Sequence, residues 1–448
     1  MTVRFLIRSG GMGVVDLRGR SNTWRGPFAV SRRGALIGAM IVALLAVPLV
    51  ISLSGCGGQP PNTSGVLQAK VTSGPLPDRV TRMGFNLINA VAATDGGENV
   101  FLSPASLELA LAMTMNGAAG QTSTAMQDAL QLQGLSMDEI NSANGAMTDW
   151  LKQLDPEVEL NIANSLWAKE GASFSPSFLA ANKKYYDAKV AALDFGSASA
   201  AKTINSWVSD ATNGKIQDMV KPPIDPQTIL FLLNAIYFKG QWTNKFDASM
   251  TKEEDFTAGN GSVNKVPMMT QSGKFRYLEN DSFQAIFLPY GSGATGMYVF
   301  LPKGSGSLPA FIKGLNAQSW GQWMSKFSQA EGDISMPRFK VEYEKALEDT
   351  LTAMGMGVAF DPIRADFSRM LSQGSPDKPF IQSVKQKTYV DVNEKGTEAA
   401  ATTSVQVGET AMPVPNNRFT MVVDHPFYFA ITDASGKVVL FEGAISNP

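Results

Sequence analysis

The chain offers few side chains for catalysis. It holds one histidine, His425, and one cysteine, Cys56. Neither a disulfide within the chain nor a Cys/His zinc site can be assembled from them. Cysteine–histidine chemistry would require those two residues to meet. Serine–histidine hydrolysis would rest on His425 alone, and no Gly-x-Ser-x-Gly elbow occurs. An enzyme is the weakest reading. The segment that invites chemistry is one to which chemistry could be done: the Ala/Thr/Ser-rich stretch at about 394–418, which holds no proline from Val390 to Met412.

Several kinds of element must position that stretch. Val80, Met83, Leu87, Ile88 and Val91 recur at helical spacing within Arg79–Thr94. Ser103-Pro104 reads as a helix start, with Ser as cap and Pro in the first turn, and the helix runs to near Gly117. Ile204–Ala211 reads as a further amphipathic helix. Strand-like runs lie at Glu159–Leu166, Ile229–Phe238, Ala285–Leu288, Gly296–Leu301, Lys387–Val392, Phe419–Val423 and Phe427–Ile431. Helix and strand signals mix without segregating, and neither an internal repeat nor a domain-sized linker follows about Pro75. Pattern alone supports a large α+β domain.

The front of the chain reads as an address. Arg32 and Arg33 precede an apolar run from Ala35 to about Leu53, ending in Leu53-Ser54-Gly55-Cys56. Residues 1–55 are expected to be a signal peptide; a retained membrane helix is the alternative for a run of this length. Leu-Ser-Gly-Cys resembles the bacterial lipobox, which marks Cys56 for lipidation. Ser31-Arg32-Arg33 resembles a twin-arginine signal weakly. Residues 56–75, rich in Gly, Pro, Asn and Ser, form a flexible tether, and 76–448 a single domain held outside the cytoplasm on a lipid anchor or secreted. Without the seven Arg and one Asp of residues 1–55, 31 basic and 39 acidic residues remain. A body of net charge −8 is a poor nucleic-acid binder.

Five motifs then appear in order. Asn99–Ser106 with Met115–Thr122 resembles the helix-B region of serpins, the serine protease inhibitors. Ile204–Val208 with Thr212–Ile216 resembles their helix-F segment, and Leu233–Trp242 their central strand. Val392–Thr402 resembles the hinge of an inhibitory reactive loop, and Asp424–Phe429 the C-terminal signature. The resemblance implies a metastable fold of three β-sheets and about nine helices. It implies no cofactor, and a monomer that traps its target protease as a covalent acyl complex. The cleaved loop would insert into the main sheet.

The hinge can be weighed on its own chemistry. A segment that leaves solvent to become a central strand needs a pliable start, small side chains and period-2 polarity. Gly396 supplies the first. Thr397, Ala399, Ala401, Thr403, Val405 and Val407 form one alternating set that can face a core. Glu398, Ala400, Thr402, Ser404, Gln406 and Gly408 form the other, mostly polar. Pro413 and Pro415 come where insertion should have ended. A disordered loop would share the composition but not the alternation. By the family's spacing from Gly396, the cut falls at Thr410–Ala411. That bait suits elastase-like or subtilisin-like serine proteases, with cysteine proteases as an extension.

By the same resemblance Ser103, Ser106 and Asn234 match the shutter, a polar cluster under the opening strands, and Trp242 matches the breach, where the loop enters. Glu394 belongs to the hinge. Many serpins carry a His where Val384-Lys385-Gln386-Lys387 places Gln386, which donates and accepts but does not titrate. Lys183-Lys184 is too little for a heparin face. The alternative is a non-inhibitory serpin that serves as a cell-surface binding module.

Overall fold

The computed structural model describes residues 71–448 except 72, 96, 154, 226–227, 229, 305–306, 376–377 and 398–417. The chain divides into two units, Met1–Gly58 and Gln59–Pro448, and the described residues belong to the second. Cys56, the signal and most of the tether lie outside the described residues. So do hinge positions Glu398, Ala399, Ala400, Ala401 and Thr402 and the expected bond Thr410–Ala411.

Fifteen strands form two hydrogen-bonded networks among the described residues. The first runs β10 (Phe339–Ala346), β11 (Val384–Asn393), β12 (Gly396–Thr397), β4 (Leu230–Gln241), β2 (Val158–Lys169) and β3 (Lys189–Leu193). The second runs β1 (Val100–Leu102), β15 (Val439–Ile445), β14 (Phe427–Asp433), β8 (Thr295–Pro302), β7 (Phe283–Tyr290), β6 (Val263–Glu279), β9 (Ser328–Pro337) and β13 (Phe419–Val422). β5 (Lys252–Thr257) joins it on β6. The second and third sheets implied by the resemblance are thus continuous. The 17-residue β6 pairs with β5 and β9 through most of its length and with β7 at its last four residues.

Nine α-helices occur among the described residues: α1 (Pro77–Ala92), α2 (Pro104–Met115), α3 (Gly120–Ala129), α4 (Met137–Leu151), α5 (Pro176–Tyr186), α6 (Ala200–Ala211), α7 (Ser307–Gly314), α8 (Ala317–Met324) and α9 (Glu348–Leu351). Helix α2 starts as expected, with Pro104 in the first turn and Ser103 Oγ accepting from Ser106 N at 3.3 Å. Every residue of α2 is buried, because it runs through the core and packs on β15, β4, β2 and α1. Strands β8, β14 and β15 are buried throughout, which fits their apolar runs. Helix α6 lies across the outer face of the first sheet. Its Ile204 and Val208 join Trp167 of β2 and Leu233 and Ala235 of β4 in a second, smaller core.

Candidate functional site

The site lies between β4 and β11. These strands run parallel to each other, Val384 to Tyr389 beside Leu232 to Tyr237. At the far end they part. The chain leaves β11, turns at Glu394-Lys395, and returns as β12 between them, antiparallel to both: Val392 pairs Thr397 on one side, and Gly240 pairs Thr397 on the other. Glycine is required at the turn-in. Gly396 has φ +146°, and a Cβ there would lie 2.0 Å from Gly240 O. Thr397 is fully buried and its hydroxyl lies 2.6 Å from the Tyr290 hydroxyl.

Glu394 fixes the turn. It is buried, accepts from Arg338 Nε at 2.7 Å and from Arg338 Nη2, and accepts from Thr251 Oγ1 at 2.5 Å. Burial raises its carboxyl pKa, but the Arg338 and Thr251 hydrogen bonds outweigh that and hold it below the usual carboxylate range. Trp242 packs against the turn. Its backbone N donates to Lys395 O at 2.9 Å, and its indole N–H donates to Asn393 O at 2.8 Å. Its ring stacks on Tyr290, centroids 4.4 Å apart and 9° from parallel.

Further down, the structure brings Ser103, Ser106, Asn234 and Gln386 together in one buried cluster. The registers put Asn164, Asn234 and Gln386 abreast on β2, β4 and β11. Gln386 Nε2 donates to Asn234 Oδ1 and to Ser103 O, each at 3.0 Å, while Ser103 N donates to Gln386 Oε1 at 2.9 Å. Asn234 Nδ2 donates to Asn164 Oδ1 at 2.8 Å, to Ser106 O at 3.1 Å and to Ser106 Oγ. Ser103 Oγ donates to Leu440 O at 2.6 Å. Ser103 therefore caps α2 and ties it to β15 and β11 together. Gln386 makes three bonds from one uncharged side chain at a position where a titratable group could have sat.

Sequence reasoning missed Asn164, Thr388, Thr251, Arg338 and Tyr290. Thr388 is buried and donates to Phe101 O at 2.6 Å. Asn164, an amide inside the strand run Glu159–Leu166, was the one with a readable signal. His425 sits elsewhere. Its ring nitrogens lie 2.6 Å from Asp424 Oδ1 and 2.7 Å from Pro302 O, which leaves neither for a serine.

A fold with a short hinge strand already seated between two parallel strands, over a polar cluster that bridges them, defines a class of protein. The family model described as serpin (serine protease inhibitor) matches residues 78–448. An uncharacterized serpin-like protein of Thermococcus kodakarensis is 35% identical over 379 residues, covering 84% of this chain and 86% of that protein. The leukocyte elastase inhibitor of Bos taurus is also 35% identical over 379 residues, covering 82% and 98%. The solved native structure of the thermophilic serpin tengpin matches with a TM-score of 0.76 at 32% identity, covering 83% of this chain and 94% of that one. The chain belongs to the serpin family. Serpins are in general protease inhibitors rather than enzymes and are commonly extracellular or secreted.

Proposed function

We propose that this serpin inhibits serine endopeptidases by suicide trapping. The observation that carries the reading is β12, which lies antiparallel to both β4 and β11 where they part. Extending both registers one residue at a time would put Ala399 between Val390 and Phe238, Ala401 between Thr388 and Ile236, and Thr403 between Gln386 and Asn234 in the inserted strand. All six flanking residues are buried, so the small alternating set would face the core. The Gln386–Asn234 bond breaks as the strand enters, and the Thr403 hydroxyl arrives where it stood. The shutter and breach roles of Ser103, Ser106, Asn234, Gln386 and Trp242 follow from this path.

In the trapping step the protease serine attacks the Thr410 carbonyl. The peptide C–N bond breaks, Ala411 leaves as a free amine, and Thr410 remains esterified to the protease. Insertion then carries that ester away from the entry point before water can release it. The small neutral bait favours elastase-like and subtilisin-like targets, and the leukocyte elastase inhibitor among its relatives is in keeping with this. Acting as a monomer, the body would work outside the cytoplasm on a lipid anchor at Cys56.

The test mixes the protein with an elastase and with subtilisin. A band at the summed mass on a denaturing gel, with a released peptide that starts at Ala411, is expected. Clean cleavage without that band, for both proteases, would favour the non-inhibitory binding module.

A further inference from the structure

Helix α2 is buried along its length, yet it carries Glu108, which has no exposed surface. Facing it across the α2–α4–α5 junction is a seam of amides. Asn144 Nδ2 donates to Glu108 Oε1 at 3.1 Å. Asn141 exchanges bonds with Asn116 at 2.8 and 3.0 Å and accepts from the Tyr186 hydroxyl at 2.6 Å. The other oxygens of the Glu108–Asn144 pair, Oε2 and Oδ1, are buried with no donor among the described residues. One acid and one amide with a single bond made and two oxygens left over form a pair that lacks one proton. A neutral Glu108 would supply it through its carboxyl O–H. An ionised Glu108 would leave a charged, unpaired acceptor in the interior.

Glu442 on β15 repeats the pattern. It has no exposed surface, and Tyr428 OH donates to its Oε2 at 3.0 Å. Its Oε1 has no donor among the described residues, and α1 lies so close that a Cβ on Gly84 would sit 2.9 Å from it.

Among the described residues no cation acts on either group. Around Glu108, α4 brings the amide of Asn144, and α5 brings Tyr186, the titratable neighbour, itself held neutral by burial. On β2 and β4, which also pack on α2, Asn234 bonds Asn164 and Ser106. Around Glu442, β14 brings Tyr428 and Ala430, β1 brings Leu102, and α1 and α2 bring Gly84 and Pro104; Tyr428 alone titrates and is held neutral by burial. Burial raises both carboxyls to about 8, against the one hydrogen bond each that lowers them.

We propose that Glu108 and Glu442 are carried as neutral acids in the uncleaved protein and form a proton-linked lock on α2, the helix whose Ser103 and Ser106 bond Gln386 and Asn234. Each acid binds its proton more tightly folded than unfolded. Its contribution is complete below the ordinary carboxyl range and is lost as pH rises through about 8. The carboxyls held low, among them Asp95, Asp155, Asp333, Glu344 and Glu394, weaken the fold only as pH falls below that range. Between those limits the two interior acids set the slope.

The test measures urea unfolding of the full uncleaved chain from about pH 5 to about pH 9. The unfolding constant should rise with pH, approaching about tenfold per pH unit for each group. Glu108→Gln and Glu442→Gln should each reduce the slope, and the double variant should remove it while staying near wild type at the acid end. Infrared spectroscopy of the wild type needs no variant. The carbonyl stretch of un-ionised interior carboxyls should be present just below neutrality, where exposed acids are ionised, and lost above about pH 9. A wild type with no such band, or a double variant that folds and keeps the wild-type slope, overturns the proposal.

Discussion

Glu394 shows how much one side chain can hold at the turn into β12. It is nearly enclosed, while the Arg338 side chain keeps 43% of its surface exposed. The Arg loses little hydration in the pair, so the net effect comes from charge-assisted hydrogen bonds to a buried acceptor, worth about 1–3 kcal/mol. Glu394→Gln should lower the stability of the uncleaved form by about that amount, read as a shift in urea midpoint. The shift should shrink as pH falls through the carboxyl range. Glu394 has a depressed folded pKa, so its contribution is present above the ordinary carboxyl pKa and lost below it.

At the scale of elements, the parallel β4–β11 pair is the feature that matters. A strand antiparallel to both can slide between them and replace one ladder with two, each of the antiparallel kind. On the proposed path the inward positions at entry carry small side chains, Ala399 and Ala401. Ala401→Arg would bring a guanidinium between Thr388 and Ile236, both buried. This variant should be cut at the normal rate, but the gel should show cleaved inhibitor and free protease in place of the complex.

How legible these elements were depended on their surroundings. β8 and β14 could be read to within a residue or two because both faces are buried and apolar. β10, with alternating Lys and Glu, and β9 were not read, because their polar faces look like loop until a partner strand is known. β15 was missed because Glu442 and Gly443 interrupt its apolar run. The cluster of Ser103, Ser106, Asn234 and Gln386 was legible through the family resemblance. Its partners were not: Arg338 lies 56 residues from Glu394, and Thr251 lies 143 away. Glu108 carried no signal at all, since one acid in a helix normally marks its solvent face.

For the whole molecule, the proposed mechanism requires that closing the sheet over a two-residue β12 leave the fold short of its lowest free energy. Complete insertion adds on the order of ten backbone hydrogen bonds at about 0.5–1.5 kcal/mol each, with burial of Val405 and Val407 besides. Against this stand the Gln386–Asn234 bond and the packing of α6 over β4, both of which must yield as the strands part. On the proposed mechanism the balance favours the inserted state once the loop is cut, and the intact loop withholds it.

The most direct measurement compares the thermal midpoint of the intact protein with that of protein cut within residues 398–417. The account predicts a rise of more than about 15 °C on cleavage, because the new strand adds roughly ten bonds' worth of stability. An unchanged or lowered midpoint in the cut form would contradict insertion between β4 and β11.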